Sequence, residues 1–183
     1  EKPLDERTPA RHLCAVLDET RGLILVDVTE PTRPVQLHPP PPRPGRPRPA
    51  REDVEWRGLA IASHVDLAQP QGGTRTTERD YVYLVSERAT PNQPISTVSV
   101  VDVTDPARPR RVGQSNAGES SESLTLASFY NPPFLQTVLF TCGDEGVYAT
   151  DATVSTQPAQ LGALGGSKQS YVIAVESFPL DRM

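Results

Sequence analysis

The chain has few of the residues that carry chemistry. Among its 183 residues are three histidines, two cysteines, one methionine and one tryptophan, and aromatics make up 5% of the total. Cys14 and Cys142 lie 128 residues apart and form no CxxC. That excludes a zinc knuckle, a thioredoxin-like pair and a covalent c-type haem site. Each cysteine reads as a small buried hydrophobe in an apolar strand, and pairing in an oxidising compartment is the alternative. No Gly-rich phosphate loop opens a helix, and no two carboxylates are placed for hydrolysis. No apolar run approaches the roughly 20 residues that span a bilayer as a helix. The formal charge of −5, with no interleaving of aromatic and basic residues, gives no reason to bind nucleic acid or an anionic membrane.

Long helices are also missing. No window beyond about a dozen residues keeps apolar spacing of 3.6 without Pro, Gly or a β-branched residue interrupting it. Proline is abundant instead, at 20 residues, and each interior proline would remove a helix bond. The length suits one domain, 1–183.

What the chain does have is a repeat. Val26-Asp27-Val28-Thr29-Glu30-Pro31-Thr32-Arg33-Pro34 returns as Val101-Asp102-Val103-Thr104-Asp105-Pro106-Ala107-Arg108-Pro109, with seven of nine positions identical. Each copy follows short segments rich in β-branched and apolar residues. These are His12–Leu17 and Leu23–Val28 in the first copy, and Tyr81–Ser86 and Ser96–Val103 in the second. A degraded third copy runs through Val138–Cys142 and Val147–Ala152, and Tyr171–Val175 reads as the opening strand of a fourth. Gly58–Ala62 and Leu124–Phe129 supply further strands ahead of the second and third hairpins. Such a unit of three to four strands cannot bury both its faces alone, so the expected class is all-β: a β-propeller, present as a partial set of three to four blades.

The aligned Asp27, Asp102 and Asp151 are spaced by 75 and then 49 residues. The second interval fits one blade of roughly 40–50 residues, and the first holds a blade plus insertions. The insertions are a Pro/Arg-rich stretch, 39–51, and a polar loop, 69–80. The aspartates are expected to be structural, holding the next hairpin through backbone bonds, and the Thr hydroxyls to accept local N–H groups. No recurring second or third carboxylate stands at metal-ligand spacing, so no metal and no cofactor are implied. Glu119–Ser123 is read as a polar loop.

These units resemble the LVIVD-repeat proteins, which carry one such motif per propeller blade. The resemblance implies blade architecture and an extracytoplasmic setting, periplasmic or at the cell surface. Members have mostly unassigned activity, and some occur beside multihaem cytochromes. The chain's start at Glu1 and its end soon after Tyr171–Val175 are read as marks of a longer protein or of a partner that completes the ring. The expected function is therefore a structural or protein-interaction module without catalysis. Arg33, Arg43, Arg46, Arg48 and Arg51, on and around the stiff proline tract, would be the partner-binding residues. The rival reading is an enzyme or small-ligand propeller whose central channel is reached by His64 with Asp66.

Overall fold

A computed structural model describes residues 12–18, 21–38, 55–65, 78–88, 95–118, 121–131, 134–143 and 146–165. They form eleven β-strands and, among the described residues, no helix. The strands are β1 (Leu13–Asp18), β2 (Gly22–Asp27), β3 (Val35–His38), β4 (Glu55–Val65), β5 (Glu78–Arg88), β6 (Ile95–Asp102), β7 (Arg110–Gly118), β8 (Ser121–Asn131), β9 (Phe134–Gly143), β10 (Gly146–Asp151) and β11 (Ala159–Gly165). Three antiparallel sheets result, each a meander in chain order: β1-β2-β3, β4-β5-β6-β7 and β8-β9-β10-β11. The register aligns them, because Asp27, Asp102 and Asp151 end β2, β6 and β10. Among the described residues the first sheet therefore lacks a counterpart of β4 and β8.

The hairpin from β1 to β2 shows how local chemistry sets a turn. The Asp18 carboxylate accepts the Arg21 amide at 2.8 Å and pairs with its guanidinium at 3.4 Å. Gly22 then adopts φ +74°, a left-handed conformation that costs glycine little.

The second sheet lies between the other two. On one side of it Tyr81, Tyr83, Val85, Val98 and Val100 pack with Leu139 and Ala152 of the third sheet and its corner. On the other side Val82, Leu84, Val101 and Val103 pack with Leu25, Leu13, Ala15, Leu17 and Leu23 of the first. Strand alternation explains this split, since successive side chains point to opposite faces. A strand covered on both faces needs no polar alternation, so Tyr81–Val85 is apolar throughout and wholly buried. Each such side chain contributes about 1.5–3 kcal/mol through burial. Contacts of β4 with β1 and β8, and of β7 with β10 and β11, join the sheets along the same lines.

Several sequence expectations shift here. The outer strands β3, β7 and β11 are not predicted from the sequence; each pairs with its sheet along one edge only. β8 starts at Ser121, inside the stretch read as a polar loop, and β5 starts at Glu78, inside the range 69–80. Backbone pairing with β9 and β4 carries these polar residues into the sheets. Tyr171–Val175 and the tract 39–51 lie outside the described residues.

Candidate functional site

The repeated motif builds the same corner three times. Its aspartate ends a strand, and the Oδ1 atom accepts the amide of the threonine two residues later. The distances are 2.9 Å for Thr29 on Asp27, 3.0 Å for Thr104 on Asp102 and 2.8 Å for Thr153 on Asp151. That bond turns the chain and aims the threonine hydroxyl back at the strand before. There the hydroxyl accepts a backbone N–H from His12 at 3.0 Å, Asp80 at 3.2 Å and Thr137 at 3.0 Å. The residue between Asp and Thr returns the favour. The amides of Val28, Val103 and Ala152 donate to the carbonyls of the same His12, Asp80 and Thr137, at 2.9, 2.8 and 2.8 Å. A tight turn follows, with Arg33, Arg108 and Gln157 donating to the carbonyl three residues back.

Each corner thus clamps the neighbouring strand of its own sheet, β1, β5 or β9. This refines the expectation in two ways. The strand held precedes the corner rather than follows it, and the threonine hydroxyl reaches 16–24 residues along the chain instead of acting locally. Sequence could hint at the clamp through the repeated Asp-x-Thr, but its partner is a backbone group and carries no side-chain signature.

The carboxylates are fully engaged in two corners. Asp102 Oδ2 takes Arg79 Nη1 at 2.6 Å, and Asp151 Oδ2 takes Gln136 Nε2 at 2.9 Å. Arg79 and Gln136 each stand one residue before the clamped position; Arg11 holds that place in sequence before His12 and lies outside the described residues. Burial pushes the Asp102 carboxyl up, but the hydroxyl and amide of Thr104 and then Arg79 outweigh it and hold the group below the ordinary aspartate range. Asp151 is likewise lowered, its burial outweighed by Thr153 and Gln136. A carboxylate that is ionised and bonded at both oxygens is neither a proton donor nor an open metal ligand. Among the described residues no group of three or more His, Cys, Asp or Glu could hold a metal ion.

A second recurring feature is a β-bulge between the last two strands of each sheet. The register shifts at Leu25/Val26, Val100/Val101 and Ala149/Thr150, which leaves Leu37, Val112 and Leu161 as the extra residues. The next residues are His38, Gly113 and Gly162. His38 is half-buried, and burial lowers its pKa from the ordinary histidine value.

Of the residues singled out in the sequence, Arg33 sits exposed in the first corner turn. Arg43, Arg46, Arg48, Arg51 and Asp66 lie outside the described residues. His64 falls near the end of β4, where its backbone pairs with Arg79. The cysteines divide: Cys142 is buried in β9, whereas Cys14 is exposed in β1, and both are free thiols. They belong to sheets on opposite sides of the middle one, which keeps them too far apart to bond. Cys14 therefore departs from the expectation of a buried hydrophobe.

No protein-family model matches the chain, and neither a curated protein nor a solved structure matches it.

Proposed function

We propose that the three sheets are consecutive blades of a β-propeller of the LVIVD-repeat kind, acting as a structural or protein-interaction module without catalysis. Its setting is a larger extracytoplasmic protein or complex. The observation that supports this best is the corner itself: three copies of one hydrogen-bond set, with the carboxylate bonded at both oxygens in two of them. Sheets that repeat one plan and stack through equivalent faces form a platform, and the residues between them vary freely without disturbing it. The Pro/Arg-rich stretch 39–51, with Arg33, would bind an acidic partner, of which a multihaem cytochrome is one kind.

Single-particle imaging of the assembly isolated from its native source tests the reading, together with the intact mass of each polypeptide in it. Annular particles containing more sheets than this chain supplies are expected. A free 19.9 kDa particle with no further polypeptide and no ring would overturn it. Turnover of a substrate that is lost in a His64→Ala variant would overturn the non-catalytic part.

A further inference from the structure

The contact that joins one sheet to the next is visible at the second bulge. A Cβ placed on Gly113 would collide with the Ser155 carbonyl oxygen and lie 2.8 Å from Pro158 Cδ. The outer part of the second sheet is therefore pressed against the corner turn of the third, and Val112 beside it packs on their shared core. Only a residue without a side chain lets the two backbones approach so closely.

The equivalent place on the third sheet is open. Gly162 occupies the position of Gly113, and among the described residues a Cβ there would meet nothing within 4 Å. Leu161 occupies the position of Val112 and is 55% exposed, and Leu164, opposite Val147 in the register, is 74% exposed. Nearer the middle of this sheet Val138 and Cys142 are already buried and β10 is buried or half-buried throughout, so the exposed region is confined to β11.

The first sheet displays the complementary half. Pro31 and Pro34 hold the positions of Ser155 and Pro158, and both are exposed, whereas Ser155 and its other counterpart Pro106 are buried. On the face turned away from the second sheet, Cys14 is exposed and Val16 is 43% exposed. Their counterparts in the second sheet, Val82 and Leu84, are buried against the first. Among the described residues, one end of the stack carries an open seat for a corner and the other an exposed corner.

We propose that the chain associates head to tail with a second copy of itself. The Pro31–Pro34 corner of one copy seats at Gly162 and Leu161 of the other, repeating the contact by which the third sheet's corner seats at Gly113. This rests on the module reading above and names its partner. A second copy is favoured because the required pair of surfaces is already joined within each chain. The interface is heterologous, so two copies close a ring if the rotation between sheets allows it, burying both ends; otherwise they propagate.

Sedimentation velocity of the intact chain over a range of micromolar concentrations provides the first test, with a dimer expected. Gly162→Leu should weaken association by roughly tenfold or more while leaving the unfolding midpoint unchanged, since no described residue of the same chain covers the site. Disulfide trapping supplies a second, independent arm. Gly162→Cys and Pro31→Cys chains, each also carrying Cys14→Ser, should crosslink when mixed under mild oxidation and not when incubated singly. A chain that stays monomeric at every concentration, or an association indifferent to Gly162→Leu with no crosslink on mixing, overturns the proposal. A monomer recovered in an annular assembly with other polypeptides would leave the module reading standing, so the two failures are distinguishable.

Discussion

The second and third sheets share one plan, four strands with a clamped corner and a bulge, yet the same positions in them do different work. In the second sheet both faces meet another sheet, and its central strand is apolar at every position from Tyr81 to Val85. In the third, the corresponding stretch Val138–Cys142 is broken by Thr141, and the sheet's outer strand β11 is exposed along its whole length. Position in the stack, rather than the repeat motif, decides how much each residue is worth. The comparison can be broken by substituting equivalent residues in the two sheets.

Core truncation should give the largest contrast. Tyr83→Ala removes a wholly buried ring from between the sheets and is expected to cost about 3–5 kcal/mol by cavity formation. Leu164→Ala, on the open strand, should change stability by less than about 0.5 kcal/mol. Equilibrium urea unfolding measures both, and comparable losses would show that the third sheet is covered in solution as fully as the second.

The bulge glycines come next. Gly113→Ala must displace the backbone around Ser155 and should cost about 1–3 kcal/mol, as overpacking does. Gly162→Ala meets open space and should be close to neutral in a single chain. Equal midpoints for the two variants in thermal unfolding would refute the close approach at Gly113.

Much of this plan could be read in the residues and some could not. Strands that are apolar by necessity, β2, β5, β6 and β10, announce themselves, as does the corner with its Asp, Thr and Pro. Strands β3, β7 and β11 do not, because an outer strand needs only backbone pairing on one edge, and Arg110-Arg111 or Ala159-Gln160 meet that need without an apolar signature. The two roles of the bulge glycine were equally silent: Gly113 and Gly162 differ only in what the fold brings opposite them. Arginines 43, 46, 48 and 51 stood out by composition, a signal that reports charge and stiffness but places nothing.

Corner hydroxyls offer a smaller contrast. Thr153→Val leaves the buried Thr137 amide without its acceptor and should cost about 1–3 kcal/mol. Thr104→Val exposes the Asp80 amide at a solvent-facing corner, where water replaces the hydroxyl, and should cost about 0.5–1 kcal/mol. Urea midpoints falling in the opposite order would mean that the second corner, not the third, is the better shielded.

The smallest effects separate the corners by charge. Asp102 and Asp151 are both lowered in the folded chain, so the unfolded state binds protons more readily as the solution is acidified. Their contribution is complete above the unfolded aspartate value, near pH 4, and is lost as pH falls through the lower folded values. Acid should therefore weaken both corners, and Asp102→Asn and Asp151→Asn should each flatten the stability profile below about pH 4. Salt acts on only one of them. The Arg79–Asp102 pair is an ion pair with an exposed guanidinium, so molar salt should remove no more than about 1 kcal/mol from it. Gln136 binds Asp151 without a net charge of its own, and that bond should be insensitive. Thermal unfolding of Arg79→Gln with and without salt decides the matter: the substitution should abolish the salt dependence of the second corner and make it behave like the third. A salt dependence that survives unchanged would place its origin elsewhere on the chain.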